Sequence, residues 1–514
     1  MTLSSWFGGC LTLMLAAGGA PEGAITLQQA LRHTLENNFD VALERLNVES
    51  AQADLEVAAS EFDPSLEASL FTRANRSPAA SVFSNPEINE SDSITGGVGV
   101  LGKTSFGASY NLGVETGQSA TNSTFQSIDP AYESTLKLEF TQPILKDAGW
   151  RVNRWRITAG VANKAIAENR LQASLIQAAE TAIEFYWELV FAAENLKTQR
   201  ELLEWSRQFE GMIRAKVAAG ALPPIDIIQA QASTAAAEEQ VVVAESQMDR
   251  RADMLLKLMN PGIESKLWTE PMTPGPMPSA PPPTPKKRDY TAAARQKRPE
   301  LAMALKEVES RKAELLYHDN QRLPSLDAVA TMRLNGLRGD AQPVVDVTTG
   351  ETKISQLDGS APDSFSDAAS GKYYNYSLGL RLTWPLGGRG AQGRHAKSLR
   401  QMESAVIRLR ELEKSVAMEA RNARREVVNA AKRFQASSVT RVLAEKKLDA
   451  EMKKFEAGAS TLFQVVEYRK DLATQRGREL RAVAECFITQ ARLDKAVGET
   501  LEANSLTLDV VPER

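Results

Sequence analysis

The residue pattern most typical of a cofactor site is the glycine run Gly388, Gly390 and Gly393, which matches G-x-G-x-x-G and is followed by Glu413. In a dinucleotide-binding fold such glycines join a uniformly apolar strand to a short helix, whose N-terminus meets the pyrophosphate. Here the preceding segment alternates apolar and polar residues, and the helical pattern that follows runs on without returning to a sheet. These glycines are therefore interpreted as a bend between a strand and a helix.

Side chains that bind metals or act as nucleophiles are few and scattered. The histidines are His33, His318 and His395, and the cysteines are Cys10 and Cys486. No histidine has a cysteine partner at the spacing of a metal site, and no pattern supports histidine-based catalysis. The sequence thus predicts no catalytic residue, no metal, no cofactor and no enzymatic activity.

Composition and the N-terminus limit the partners and the compartment. In 514 residues, 61 basic side chains nearly balance 65 acidic ones, so the charge predicts no nucleic-acid partner. Residues 1–24 form an apolar stretch that ends in small residues, which predicts a secretory signal peptide cleaved near Ala20 or Ala24. A lipid anchor on Cys10 is the alternative, although the apolar core follows that cysteine. No later segment is apolar enough for a transmembrane helix.

The chain repeats itself, and each copy contains a long helix, a strand segment and a much longer helix. Residues 61–68 return as residues 321–328, and residues 216–221 return as residues 454–459. A repeat of this length indicates a duplicated architecture.

Several segments alternate apolar and polar residues, as strands with one apolar face do. The clearest runs from Tyr374 to Trp384, others cover 106–114 and 135–141, and weaker ones lie at 66–70 and 326–334. A soluble sheet with one wet face gives the same pattern. The export leader, strands of ~9–11 residues and aromatic strand ends favour a membrane barrel instead. Because bare edges are not tolerated in lipid, several chains must share that barrel.

Two windows free of proline predict very long helices. Each carries the same heptad seam, formed by Ala178, Ala182, Phe185, Leu189, Ala192 and Leu196 in the first copy and by Val416, Ala420, Ala423, Val427, Ala430 and Phe434 in the second. A helix over 154–219 would be about 100 Å long. Gly220 and Gly458 predict helix ends, each followed by a new helix start, so each makes a hairpin tip.

These patterns divide the chain as follows. The predicted parts are a signal peptide at 1–24, a first repeat at 25–262 (helix 27–61, strands and loops 64–143, long helix 154–219, returning helix 225–259), a proline-rich strap at 263–289, a second repeat at 290–499 (helix 291–320, strands and loops 324–385, long helix 394–457, returning helix 462–497) and a tail at 500–514. The bends between sheet and helix are predicted at Pro143, Pro385, Gly387 and Gly388.

In this order and duplication, the chain resembles the TolC-like outer-membrane factor family. The resemblance covers nearly everything from Ile25 to Gly498. It is carried by Thr26-Leu-Gln-Gln-Ala-Leu31 with Glu36-Asn-Asn38, by the strand starts Pro64-Ser-Leu and Pro324-Ser-Leu, by Leu380-Arg-Leu-Thr-Trp-Pro-Leu-Gly-Gly-Arg389, and by the two tips.

The resemblance implies a mixed α and β membrane protein: a homotrimer with four strands per chain, closing a twelve-stranded transmembrane β-barrel. A long periplasmic α-helical barrel continues it toward an adaptor protein and an inner-membrane transporter. The location that the resemblance implies is the outer membrane of a Gram-negative-type bacterium, where the barrel contacts lipid. The function is the passive exit duct of a tripartite efflux pump or a type I secretion system, for small molecules or for exported polypeptide.

Two departures from the family pattern refine this expectation. The tip candidates are Gly220 and Asp226 in the first repeat and Gly458, Gln464 and Glu467 in the second, where Gln464 replaces an acid of the family motif. We therefore expect a weakened acidic ring at the entrance. The strand patterns at 94–100 and 106–114 exceed the family's two strands per repeat. We expect them to extend the wall outward, with a wider barrel as the second alternative.

A structural tether is the competing function: coiled helices that span the periplasm from an outer-membrane anchor, without an open pore. It predicts a filled bundle with an apolar interior. The duct predicts polar residues facing a lumen.

Overall fold

The computed structural model describes residues 24–78, 87–124, 126–269, 271–278, 280–283, 288–345 and 350–506. The predicted signal peptide falls outside these residues except at its last position, and so does the predicted tail beyond residue 506. Within the described residues, none of the helices has the length and hydropathy needed to cross a membrane.

The elements follow the duplicated order of the sequence. They are α1 (Leu27–Asn37), α2 (Phe39–Ala59), β1 (Ser65–Pro78), β2 (Ile88–Lys103), β3 (Ser109–Thr121), β4 (Ile128–Pro143), α3 (Trp150–Asn153), α4 (Trp155–Ala218), α5 (Ile225–Met259), α6 (Tyr290–Lys297), α7 (Pro299–Asn320), β5 (Ser325–Ala341), β6 (Val344–Val345), β7 (Thr352–Lys353), α8 (Ala361–Ser370), β8 (Tyr373–Thr383), α9 (Arg389–Glu456), α10 (Leu462–Val497) and α11 (Thr500–Ala503). They form a sheet unit (Glu49–Ile166 and Ala304–Arg408) and a helical unit (Met1–Val48, Ala167–Met303 and Leu409–Arg514).

The sheet unit is built on six long antiparallel strands in the order β1-β2-β3-β4-β5-β8. Their register keeps apolar residues opposite apolar residues, and one row across all six strands reads Leu66, Val100, Leu112, Leu138, Met332 and Tyr376. Because side chains alternate along a strand, the opposite face collects the polar residues. The sheet therefore has one apolar and one polar face over its whole width.

In the described residues one sheet contains six long strands, whereas the resemblance implied four strands per chain. The patterns at 94–100 and 106–114 were expected to extend the wall outward. Instead they lie within β2 and at the start of β3, which occupy the middle of the sheet between β1 and β4. The physical reason is that their alternation matches that of both neighbours, so they complete the ladder along their length. A count of twelve strands in three copies does not follow from this sheet.

Each of the two helices predicted at 27–61 and 291–320 is in fact two helices. Asn38 has extended backbone geometry, and its side-chain oxygen accepts hydrogen bonds from the backbone N–H groups of Asp40 (2.9 Å) and Val41 (3.2 Å), which starts α2. In the second repeat Arg298 is extended because it precedes Pro299, the first residue of α7. The breaks thus have local causes that periodicity does not reveal.

The segment 340–372, between two strand patterns of the second repeat, also contains regular structure. It holds the short β6–β7 hairpin and α8, whose start is a capping box of Ser360 and Asp363. Ser364 of α8 is fully buried, and its hydroxyl donates to the Ser134 hydroxyl of β4 at 2.8 Å. A Cβ at Gly336 of β5 would come within 1.8 Å of the Ser364 carbonyl oxygen, so glycine is required there.

The longest helices are α4 with 64 residues and α9 with 68, and most of each lies in the helical unit. The first-copy seam packs into a core with α1, α5 and α10, and the second-copy seam packs with α6 and α10. Trp187 of α4 stacks on Phe487 of α10 with ring centroids 4.0 Å apart. The seams therefore hold lateral neighbours, as helices of this length require.

The proline-rich strap, predicted at 263–289, contains regular structure in its described part. A short 3₁₀ helix covers Lys266–Trp268, capped by Ser265. Beyond it the N–H of Ile25 donates to the carbonyl oxygen of Thr273 (2.9 Å), and Met272 is buried in the core around α1 and α4. The described part of the strap is therefore attached to the start of the first repeat.

The C-terminal end of α10 contains a carboxyl group whose ionisation opposes folding. Burial raises the pKa of Asp494 to about 7 from its usual 3.8, and the nearby Glu499 carboxylate acts in the same direction. Between these pH values the folded chain keeps a proton that the unfolded chain releases. The free energy of unfolding should therefore fall as the pH rises from about 4 to about 7, and this loss persists above pH 7.

Replacing Asp494 with asparagine is expected to remove this part of the pH dependence. At pH 8 the variant should be more stable by on the order of 2–4 kcal/mol, because no ionised carboxylate has to be buried. Thermal unfolding followed by circular dichroism between pH 4 and pH 8 measures the effect. Glu467→Gln, an exposed position on the same helix, is the control. An unchanged pH profile in Asp494→Asn would show that Asp494 is ionised normally.

Candidate functional site at the hairpin tips and the sheet face

The first tip begins where Gly220 ends α4. Its φ of +74° is a left-handed conformation that favours glycine, and its N–H donates to the Val217 carbonyl oxygen at 2.9 Å. The N–H of Ala221 donates to the Lys216 carbonyl oxygen at 2.9 Å. This pair of bonds is a Schellman motif, which satisfies carbonyl groups left open at a helix end.

The second tip repeats that geometry after α9. Gly458 has a φ of +75°, and its N–H donates to the Phe455 carbonyl oxygen at 3.1 Å. The N–H of Ala459 donates to the Lys454 carbonyl oxygen at 2.8 Å. Corresponding residues of the two repeats thus make corresponding bonds. Both tips turn the chain by the same backbone mechanism.

The polar tip candidates are not gathered into one cluster. Asp226 lies half-buried in the first turn of α5, and its N–H donates to the Pro223 carbonyl oxygen at 3.1 Å. Gln464 and Glu467 are exposed on the first turns of α10, and Glu467 lies 3.9 Å from the Lys470 ammonium group. Among the contacts of the described residues, none joins Asp226 to either of them.

A carboxylate that the sequence analysis missed holds the second tip together. Glu451 of α9 is buried, and its carboxylate accepts a hydrogen bond from the Ser460 hydroxyl, across the turn. This bond holds the pKa of Glu451 below its usual value. The spacing of an acid nine residues before a serine gave no signal, because only the turn brings them together.

An apolar cluster, here called the tip core, packs the two hairpins against each other. Its buried residues are Phe209, Ile213, Ala230, Phe455, Leu462, Val465 and Val466, which come from α4, α5, α9 and α10. The rings of Phe209 and Phe455 lie 5.9 Å apart, and the Lys216 ammonium group lies 4.8 Å from the Phe455 ring centre. Separating the hairpins would expose this core to water.

Beside the tip core, α4, α5 and α10 enclose a groove of about 570 Å³. The Arg469 guanidinium lies over the Trp205 ring at 5.0 Å, and burial lowers its pKa. Trp205 in turn stacks on Phe209 with ring centroids 4.7 Å apart. The groove and the tip core are therefore one continuous packing arrangement.

The predicted bend residues lie at the ends of two strands. Pro143 is the buried last residue of β4. Pro385, Gly387 and Gly388 lie between β8 and α9, and the two glycines have φ values of +96° and +52°. Gly390 and Gly393 of the same run are already helical. The run is thus a strand-to-helix turn followed by the first turns of α9.

The polar face of the sheet carries charges of both signs around a depression of about 320 Å³. Among its lining residues are Glu115, Glu133, Lys137 and Arg333. Lys137 lies 2.9 Å from Glu139, and Arg333 lies 3.8 Å from the same carboxylate. Within the described ranges, no three histidine, cysteine or acidic side chains are placed to hold a metal ion.

Comparison with protein families decides the identity of this duplicated architecture. The sequence matches the family described as outer membrane efflux protein over residues 30–261 and 291–499, one segment for each repeat. The chain belongs to this outer membrane efflux protein family. The resemblance stated from the sequence is thereby confirmed. A search of curated proteins found no match.

Solved structures of outer-membrane channels share the fold of this efflux-family chain. The CmeC outer membrane channel of Campylobacter jejuni has a TM-score of 0.65 at 14% identity, covering 94% of this chain and 90% of that one. The outer membrane protein VceC of Vibrio cholerae has a TM-score of 0.62 at 14% identity, covering 92% and 96%. The open-state MtrE channel of Neisseria gonorrhoeae has a TM-score of 0.61 at 14% identity, covering 92% and 89%.

Proposed function

We propose that three copies of this chain form the outer-membrane exit duct of a tripartite efflux pump or a type I secretion system. The sheet units close into a barrel in the outer membrane, and the helical units form a tube in the periplasm. The observation that supports this most directly is the division of the six-stranded sheet into a continuous apolar face and a charged polar face.

The height of the apolar face fits the hydrocarbon layer. On β8 the apolar side chains begin at Tyr374 and continue to Trp384 just beyond the strand, with aromatic residues at both ends. Ten residues rise ~33 Å along a strand, which a tilt of about 40° reduces to a height of ~25 Å. That is the height of the lipid-facing band in outer-membrane barrels, where aromatic girdles mark both interfaces.

The duct is a passive conduit, and the energy comes from an inner-membrane transporter that an adaptor protein connects to the tips. Opening separates the hairpins at the tip core, and Asp226, Gln464 and Glu467 line the entrance. The exposed polar side chains of α10 near the tip, including Glu467 and Lys470, support a surface that meets a partner. The transported substrate is a small molecule or an exported polypeptide.

The polar sheet face also favours the duct over the tether. A tether needs no charged inner wall, whereas Glu115, Glu133, Lys137 and Arg333 share one side of the sheet. Charged side chains on the inside of a barrel retain water. The tether remains as the outcome in which reconstituted protein conducts no ions.

A pair of neighbouring substitutions on β8 tests the duct. Leu378→Arg places a charge on the apolar face and should lower the yield of assembled trimer in the outer membrane, because the charge costs ~2–4 kcal/mol near the bilayer midplane. Ser377→Arg lies on the polar face and should assemble normally. Membrane fractionation measures insertion into the outer membrane, and the mass of the detergent complex gives the number of copies. Single-channel conductance shows whether the duct is open.

The results that contradict the duct are specific. If Leu378→Arg and Ser377→Arg assemble equally well, the apolar face does not meet lipid. If the detergent complex of the unmodified protein is a single chain, or if three copies conduct no ions in a planar bilayer, the protein is not an open duct.

A further inference from the structure

The turn between β2 and β3 packs against residues next to the start of β1 and the end of β4. The Lys103 ammonium group lies 2.7 Å from the Glu61 carboxylate, next to the start of β1. The N–H of Gly149 donates to the Phe106 carbonyl oxygen at 3.1 Å, close to the end of β4. Gly107 has a φ of +98°, and a Cβ there would come within 2.3 Å of the Asp147 carbonyl oxygen. This turn is a packed part of the sheet's base.

Both strands also continue the two faces of their neighbours. Val98 and Val100 of β2 lie opposite Ala68 and Leu66 of β1, and on the other side they pair with Val114 and Leu112 of β3. Those β3 residues pair in turn with Leu136 and Leu138 of β4. On the opposite face, Thr95 and Glu115 line the polar depression together with Lys137 and Arg333. The hairpin thus contributes to both faces.

The apolar band lies at different heights on the two outer strands of the sheet. Its middle lies near Ala68 on β1, which belongs to the same cross-strand row as Tyr374 on β8, whereas the middle of the band on β8 lies near Gly379. Averaged over the five steps from β1 to β8, the band therefore shifts by about one residue per strand. With ~3.3 Å per residue and ~4.8 Å between strands, this shift corresponds to a tilt of roughly 35°, as barrel strands have.

The two outer strands of the sheet have one open edge each. Every residue of β8 is exposed, and β1 is exposed along almost its whole length. An open edge of this length is not stable in lipid, because its backbone groups have no partners. The occupant that fits is a second copy of this chain, since the 14 residues of its β1 are long enough to pair with the 11 residues of β8, and Leu66, Ala68 and Leu70 of β1 lie on the apolar face.

We propose that β2 and β3 are wall strands, and that three copies close an eighteen-stranded barrel by pairing β8 of one copy with β1 of the next. This inference rests on the proposed trimeric duct and adds its strand number. Barrel diameter grows roughly linearly with strand number, so the mouth is about 1.5 times wider than that of a twelve-stranded barrel. Barrels of this size keep an aqueous channel.

Spin labels on single cysteines test where β2 and β3 lie. In a background with Cys10 and Cys486 changed to serine, labels at Val98→Cys and Leu112→Cys should be relaxed more strongly by oxygen, which concentrates in lipid, than by a water-soluble nickel chelate. Thr95→Cys on the polar face should show the opposite preference. Leu138→Cys and Leu380→Cys, on strands that belong to the wall in either arrangement, are the controls.

The control positions distinguish a failure of the eighteen-stranded arrangement from a failure of the proposed duct. If Leu138→Cys and Leu380→Cys report lipid while Val98→Cys and Leu112→Cys report water, the hairpin lies outside the wall and the inference is wrong, although the duct stands. If all four positions report water in assembled trimer, the duct itself is wrong and the inference is wrong with it.

A distance between copies counts the strands directly. Equivalent backbone positions in three copies are separated by roughly 30 Å in an eighteen-stranded barrel and by roughly 20 Å in a twelve-stranded one, from ~4.8 Å strand spacing and the tilt above. Pulsed electron paramagnetic resonance on Leu380→Cys trimers measures this separation. Because Leu380 faces outward, the side chain and its label (a reach of roughly 6 Å) add about 10 Å to both separations, so a value of about 40 Å supports the proposal and a value of about 30 Å overturns it.

Discussion

Replacing Phe455 with alanine is expected to shift the proposed duct from closed to open tips by about two orders of magnitude. Phe455 is only 6% exposed and packs in the tip core, between Phe209 and the Lys216 ammonium group. Truncating a buried phenylalanine costs ~3–5 kcal/mol. If opening separates the hairpins, this cost falls on the closed state alone, and each 1.4 kcal/mol changes the ratio of states tenfold.

Single-channel conductance of the purified protein in a planar bilayer measures this shift. The fraction of time spent in a high-conductance state should rise in Phe455→Ala. Phe463→Ala is the matched control, because Phe463 lies at the same tip but is 58% exposed. If the two variants conduct alike, the tip core does not hold the duct closed. If Phe455→Ala is misassembled, Ile213→Val removes a single methyl group from the same core and should give a smaller shift in the same direction.

Replacing Leu189 with alanine is expected to destabilise the protein more than the same replacement at an exposed leucine. Leu189 is 0% exposed in the first seam of α4, in the core that also holds Trp187 and residues of α1, α5 and α10. A Leu→Ala change at such a site costs ~2–5 kcal/mol, because the cavity that remains cannot fully collapse. The loss should appear as faster unfolding, because the folded state loses packing contacts that the unfolded chain does not have.

The unfolding rate in detergent, followed by circular dichroism in guanidinium chloride, measures the effect of Leu189→Ala. Leu443→Ala on α9 is the control, since Leu443 is 59% exposed in the chain. We expect the control to change stability by less than ~0.5 kcal/mol. Equal unfolding rates for the two variants would mean that the seam around Leu189 does not hold the helices together.

Features set by periodicity or by glycine could be predicted from the sequence. The seam positions Ala182 and Ala420 are fully buried at corresponding places in the two repeats. Gly220 and Gly458 have left-handed backbone at the ends of their helices, where the sequence predicts helix ends. These signals are local, so they survive without knowledge of what packs against them.

Features set by pairing between distant segments were mispredicted or missed. The alternation of β2 and β3 was visible, but their place in the sheet depends on β1 and β4, and the family analogy favoured four strands. The bond between Ser460 and Glu451 depends on the turn geometry. In each case the deciding partner lies outside the pattern that made the prediction.

The shared backbone geometry of the two tips has a consequence for docking symmetry. A trimer would present six turns of the same backbone shape, three followed by Pro223 and Pro224 and three followed by Ser460 and Thr461. A binding protein that recognises only the turn would find six equivalent places around the ring. One that recognises side chains would find three, so its stoichiometry would reveal which of the two it recognises.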